Sequence, residues 1–331
     1  MGVTEVRAKS IIRFTRRIDP FFVSSAGMNL YRGCAHGCAY CDGRAEKYRV
    51  NGDFAATVQV KVNAVELVRK ELGLDVSAQP ELFPEARQGG FLLLGGGVGD
   101  SYQPAEAVCR IARQVLELLA VRDIPVHVLT KSSLVLRDSD LLERLAGSAG
   151  ALVSFSISTA DDSLGAFLEP GASPPSERLR ALSKLRDRGI NGGIFLMPVI
   201  PFLSDSPAEI DRSVEAAAHA GAQYVVFGGM TLKQGRQKEH FLRTVARGRA
   251  DLAARYNQLY PPPPGDRPDW GSAPRAYYRR ITREFARAAQ AHRMPVRIPL
   301  ELCRHVLSDR ELATVRAEHE RAAAEIKGYL R

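Results

Sequence analysis

Short apolar runs along this chain alternate with longer stretches whose apolar positions recur every three or four residues. The short runs cover residues 28–31, 91–94, 126–129, 152–157, 193–197 and 224–227, and each predicts a strand. Between several of them, residues 105–121, 140–145, 176–188 and 207–220 predict helices. In 105–121 the apolar residues Val108, Ile111, Ala112, Val115, Leu118 and Leu119 mark one buried face of a single helix that opens after Pro104. Alternation of β and α at this spacing predicts a parallel sheet, with six units against the eight of a closed barrel. A partial (β/α)6 TIM-type barrel and an open doubly wound sheet both fit the pattern. Either one gathers ligands at the C-terminal ends of its strands.

Beyond residue 230 the pattern changes. Residues 260–265, a tyrosine, four prolines and a glycine, form a stiff connector. Two further helices, 276–292 and 308–329, flank a short Pro-containing segment at 294–300. The expected organisation is an N-terminal extension (1–25), a barrel (26–230) and a mainly helical C-terminal extension (231–331) acting as cap. From Lys233 onward there are 21 Lys and Arg against 11 Asp and Glu, so the net charge of +9 arises in this last third. Such a surplus suits a polyanionic partner such as nucleic acid, and it also suits solvated faces of Arg- and Ala-rich helices. No apolar run reaches the roughly 18 residues of a membrane span, and the first twenty residues lack the apolar centre of a signal peptide. A cytoplasmic protein with no membrane partner is the expectation.

Cys34, Cys38 and Cys41 lie on one loop with the spacing C-x3-C-x2-C, whereas Cys109 and Cys303 stand far apart. That clustering asks for metal chemistry rather than cross-linking. Three thiolates leave one iron of a [4Fe-4S] cluster without a protein ligand, whereas a structural zinc asks for four ligands. His36 is the only near candidate for a fourth zinc ligand, and its place between two of the cysteines makes tetrahedral sharing awkward. Gly33 and Gly37 let the backbone wrap an inorganic core closely.

With Tyr40 before its last cysteine, the loop resembles the signature of the radical S-adenosylmethionine superfamily. Further stretches resemble that superfamily's spore photoproduct lyase-like branch: 29–34, 96–106, 129–132, 136–138, 154–158 and 168–171. The resemblance implies the partial (β/α)6 barrel with a mainly helical extension. It implies a [4Fe-4S] cluster on the three cysteines, whose open iron chelates S-adenosyl-L-methionine, and cleavage of that cofactor to a 5′-deoxyadenosyl radical that abstracts hydrogen. It also implies an external electron donor of flavodoxin or ferredoxin type. Cofactor-binding positions by this resemblance are Tyr40, the glycines Gly95, Gly96 and Gly97 at the amino group, Lys131 at the carboxylate, and Ser156 and Ser158 at the ribose. The two serines share one face of the fourth strand, because strand side chains alternate with period two.

Around these positions, Glu169 and Arg178 are expected to pair and shape the loop after the fourth strand. Asp100, Tyr102, Gln103 and Glu106 all face the glycine loop, and chemistry alone does not rank them. His36 serves either the cysteine-loop backbone or catalysis. Cys109 reads as a small buried hydrophobe, and Cys303 as core filler more readily than as a hydrogen donor. The repair lyases carry a hydrogen-donating cysteine that aligns near Gly97, yet no cysteine occurs between Cys41 and Cys109. The cysteine loop also continues into Asp42, Gly43 and Arg44 without a second aromatic. Both departures count against thymine-dimer repair, and no catalytic residue is assigned. A radical enzyme acting on nucleic acid or another anion leads. A radical enzyme acting on a protein or small molecule follows, and a non-catalytic iron–sulfur or zinc sensor stands as the reading from another class.

Overall fold

The structure, a computed structural model, describes residues 2–48, 50, 52–74, 89–95, 98–265 and 268–330. The chain opens with strands β1 (Gly2–Val6), β2 (Ile12–Asp19), β3 (Ser24–Met28), β4 (Tyr31–Arg32) and β5 (Thr57–Lys61), then helix α1 (Ala64–Glu71). Alternation follows: β6 (Leu92–Gly95), α2 (Glu106–Cys109), α3 (Ile111–Val121), β7 (Val126–Thr130), α4 (Ser139–Gly147) and β8 (Ala151–Ile157). It continues with α5 (Asp162–Leu168), α6 (Pro175–Asp187), β9 (Asn191–Val199), α7 (Pro207–His219) and β10 (Val225–Gly229). The tail adds α8 (Arg236–Ala246), α9 (Leu252–Leu259), α10 (Arg275–Ala291) and α11 (Asp309–Leu330). Local signals start these helices. Before α7, the Ser206 hydroxyl accepts from Glu209 N at 3.2 Å and Pro207 takes the first turn.

The main sheet runs β10-β9-β8-β7-β6-β3-β2. From β3 to β10 its neighbours are parallel and follow chain order, and β2 adds an antiparallel edge. A doubly wound sheet reverses direction at a switch point, and this one does not. It curls into a half-barrel with its helices outside. Alternate side chains divide accordingly. Val153, Phe155 and Ile157 of β8 face the helices, whereas Leu152 joins an inner core with Leu93, Leu129, Phe195 and Val226. Phe21 and Phe22 pack on that inner core, and the tail closes it with Ile298, Cys303 and Val315. Helix α10 packs on α7 and β10, where Phe285 stacks on Phe227 with centroids 4.5 Å apart, so the tail completes the outer layer.

Two expectations are corrected. The apolar run 28–31 is not one strand. The chain leaves the main sheet at Met28, and Tyr31–Arg32 pairs with β5 in a separate sheet of order β1-β5-β4. Leu30 and Tyr31 are buried, so the run reads as continuous although it bridges two sheets. The stretch 105–121 is two helices broken at Arg110, whose φ is +52°. The buried Glu106 carboxylate turns back to accept Ala112 N at 3.0 Å and Arg113 N at 3.4 Å, which caps the second helix. Apolar spacing carries through the break, so periodicity alone does not reveal it. Cys109 is half-buried against the outer core, and Cys303 is fully buried in the inner one.

Candidate functional site

The cysteine loop follows β4 and is held from several sides. Gly33 has φ +78°, and a Cβ there would lie 2.7 Å from Thr57 O and 2.9 Å from Phe54 O, so only glycine fits so close to the start of β5. Gln103 clamps the same turn, accepting from Ala35 N at 2.9 Å and donating to Gly33 O at 3.1 Å. The loop after α5 grips the other side. Ala39 N donates to Leu168 O at 2.8 Å and Gly171 N to His36 O at 2.9 Å. From the tail, Gln237 Nε2 donates to Tyr40 O at 2.9 Å. So restrained, Cys34, Cys38 and Cys41 line one cavity of about 170 Å³ together with Lys131, Ser156 and Met197.

The three cysteines are free thiols, and burial pushes each one's pKa up. For Cys34 the Asp100 carboxylate and the other two cysteines add to that rise. A metal entering here must therefore displace protons from thiols that burial keeps neutral. Among the described residues, no three His, Cys, Asp or Glu converge on one ion position. Three thiols spaced around a cavity suit a polynuclear cluster better than a single zinc.

Opposite the thiols lies a charge network centred on Glu169. Its carboxylate accepts from Tyr40 Oη, from Ser158 Oγ at 3.0 Å and from Arg178, and it lies 3.2 Å from Lys131 Nζ. Burial works against the charged form. The Lys131 and Arg178 cations and the bonds from Tyr40 and Arg178 nevertheless hold the carboxyl down at about 2. Lys131 Nζ also donates to Ser156 Oγ at 2.7 Å and sits 5.7 Å from the Tyr40 ring centroid. The expected Glu169–Arg178 pair is thus buried, and it anchors the loop that grips the cysteines.

A second network centres on Asp100. Its carboxylate accepts from Thr130 Oγ1 at 2.8 Å, Lys131 N at 2.7 Å and Tyr102 N at 2.8 Å. His36 lies between the networks, with Nε2 3.1 Å from Asp100 Oδ2 and Nδ1 2.9 Å from Gly171 O. Nδ1 is hydrogen-bonded to the Gly171 carbonyl and so ties the cysteine loop to the loop after α5, whereas Nε2 is close to Asp100 without a well-angled hydrogen bond. Burial raises and His36 lowers the Asp100 pKa, with the net shift downward.

The structure thereby sorts residues that the chemistry left unranked. Asp100 ties the β6 loop to the end of β7, Gln103 holds the cysteine loop, Tyr102 donates to Asp138 at 3.1 Å, and Glu106 caps α3. Lys131 and Ser156 line the cavity. Tyr40 and Ser158 lie behind them as buried partners of Glu169, and Gly95 sits at the β6 end with φ +102°. A Cβ on Gly95 would meet Leu129 O at 2.4 Å, so backbone packing already demands glycine there. Gly96 and Gly97 lie outside the described residues. Gln237 was missed, because it comes from the tail and carries no motif. Glu169 as a hub was foreshadowed only by its expected pairing with Arg178.

A family model described as the Radical SAM superfamily matches residues 28–209. An uncharacterized protein of Mycobacterium tuberculosis is 31% identical over 237 residues, 70% of this chain and 66% of that protein. The chain therefore spans just under two thirds of that relative's length. An uncharacterized protein of Methanocaldococcus jannaschii is 28% identical over 241 residues, 72% of this chain and 82% of the other. Among solved structures, a spore photoproduct lyase double mutant with bound AdoMet and dinucleoside spore photoproduct superposes with a TM-score of 0.63. At 15% identity over 88% of this chain and 78% of that one, the likeness concerns the fold.

Proposed function

The chain belongs to the radical SAM superfamily, and from that premise we propose that Cys34, Cys38 and Cys41 hold a [4Fe-4S] cluster in the strand-end cavity. One observation carries the proposal: three thiols of one clamped loop, Cys34 and Cys38 buried and Cys41 half-buried, line the same cavity as the Lys131 ammonium and the Ser156 hydroxyl. When bound, the cluster with one open iron supplies the electron that cleaves S-adenosyl-L-methionine to a hydrogen-abstracting 5′-deoxyadenosyl radical.

The chain's own residues bind and orient. Lys131, held between Glu169 and Ser156, offers a point cation to the cofactor's carboxylate. Gly95, with Gly96 and Gly97 after it, brings backbone to the amino group. The Ser156 hydroxyl, which accepts from Lys131 and donates to Met197 O at 2.8 Å, would contact the ribose. Tyr40 and Ser158 act through Glu169, fixing where Lys131 stands. Asp100 and His36 keep the β6 loop and the cysteine loop in register. An external one-electron donor and a cytoplasmic setting complete the proposal, with 26–230 as the catalytic barrel and 231–331 as its extension.

The substrate we propose is nucleic acid or another anion, on the strength of the positive surplus beyond Lys233. Thymine-dimer repair is not proposed. Among the described residues, no thiol besides the three loop cysteines lines the cavity, and Cys303 is buried in the inner core. Anaerobic reconstitution tests the central reading. Dithionite and S-adenosyl-L-methionine should yield 5′-deoxyadenosine, and Cys38→Ala should lose both iron–sulfur absorbance and product. Absence of 5′-deoxyadenosine from the reconstituted wild type would leave a binding or sensing protein instead.

A further inference from the structure

Helix α8 and the residue after it carry Arg236, His240, Arg243 and Arg247, spaced four, three and four apart and so on one helix face. The three arginines are exposed and His240 is half-buried. Between this face and the segment following the cysteine loop lies a cleft of about 210 Å³, walled by Gly43, Arg44 and Phe54 opposite Arg236, His240 and Arg243. Its carboxylates, Asp53 and Glu239, leave a positive balance, and Asp53 already lies 3.7 Å from Arg44. Arg236 lies 3.7 Å from Glu46, whereas Arg243 and Arg247 have no ion-pair partner among the described residues. Burial and then Arg44 hold His240 down at about 4, as expected where the local potential is positive.

The cleft is separated from the thiols by one packed layer, because Phe54 belongs to the apolar cluster that contains Cys34 and Cys41. The cleft shares no lining residue with the cavity that holds Lys131 and Ser156. That arrangement decides between occupants. Hydrogen abstraction needs contact, so a polymer held here by its phosphates would lie outside the cavity that Lys131 and Ser156 line. An electron needs only a thin, well-packed wall.

We propose that the arginine face of α8 is the docking surface for a small acidic one-electron carrier protein, which delivers its electron through the Phe54 wall. The proposal rests on the cluster reading above. At each encounter the carrier loses one electron and the cluster gains one, with no bond made or broken at the interface. The other exposed arginine row, Arg275, Arg279, Arg283 and Arg287 on α10, belongs to the outer helical layer beside α7 and α11 and serves as a control.

The experiment compares the reconstituted wild type, Arg243→Glu/Arg247→Glu and Arg279→Glu/Arg283→Glu, using flavodoxin hydroquinone as the carrier. In the α8 variant, stopped-flow reduction at low salt should slow about tenfold or more and lose its salt dependence. Dithionite reduction should stay unchanged. Titration of cluster-free protein with oxidised flavodoxin should show a matching loss of affinity. Equal carrier rates in all three proteins would overturn the proposal. So would a loss confined to the α10 variant, or a loss of oligonucleotide binding with flavodoxin coupling intact. Should dithionite yield no 5′-deoxyadenosine from the wild type, the functional reading fails, and the cluster-free titration still tests the surface.

Discussion

The two ends of the half-barrel solve opposite problems. At the strand C-termini, Glu169 is buried among Lys131, Arg178, Tyr40 and Ser158, so charge is concentrated and balanced around a cavity. At the floor, Phe21, Phe22 and Phe195 pack beneath Ile298, Cys303 and Val315 from the tail. Arg297 lies over the Phe21 ring at the floor's rim, and the polar groups within the floor pair with one another. His127 Nδ1 lies 3.0 Å from Phe22 O and its Nε2 2.8 Å from Ser154 Oγ, which in turn lies 2.7 Å from Tyr224 Oη. One inner surface thus carries an ionic mouth and a dry base only a few residues apart along β7 and β8. Charge is kept where a cofactor can meet it and excluded where nothing should enter.

The strongest way to break this contrast is at Glu169. In Glu169→Ala the Arg178 and Lys131 cations lose their buried partner, and stability should fall by about 3–5 kcal/mol in chemical denaturation. A loss below about 1 kcal/mol would mean that the mouth is wetter than the structure shows. The wild type should carry the same signature in acid. The Glu169 carboxyl is depressed from 4.5 to about 2, so the unfolded chain binds the extra proton in that interval. Stability present above pH 4.5 is therefore lost as pH falls toward 2, by roughly 3 kcal/mol, and Glu169→Gln should lack that slope.

The floor titrates in a different window. Burial lowers His127 from 6.5 to about 4, which keeps the folded ring neutral where the unfolded one is charged. Stability should decline by about 3 kcal/mol as pH drops from 6.5 to 4, and His127→Gln should flatten that decline. If both variants lost the same pH window, the two ends would not be electrostatically separate. A smaller effect sharpens the tail's part. Val315→Ala should cost about 1–2 kcal/mol of the whole domain's stability, measured as one cooperative transition. Independent melting of a tail unit would contradict a shared floor.

The mouth was legible in the sequence and the floor was not, for physical reasons. Each βα unit is built from contacts close in the chain, so five of the six short apolar runs foretell the parallel strands β6 to β10. The cysteine spacing groups three thiols within eight residues, and they line one cavity. The β1–β5 pairing, by contrast, joins Gly2 to Thr57, and the floor joins Phe91 and Leu152 to Val315. Such meetings leave no local period. Arg110 is a further case, since its left-handed turn is stabilised by a carboxylate that a helical pattern treats as one more polar position.

The hydrogen bond from Gln237 to Tyr40 joins residues 197 positions apart, and that separation sets an order of events during synthesis. At about 5–20 residues per second, the cysteines leave the ribosome roughly 10–40 s before the residue that fastens their loop. Through that interval three thiols stand on a segment that lacks its tail contact, more open to oxidation and to stray metals than in the finished chain. On the proposed reading, cluster delivery would follow completion of the chain. A fragment ending where the family match ends, at residue 209, would keep every cysteine of the loop and its contacts with Gln103, Leu168 and Gly171, and would lack the fastening from Gln237.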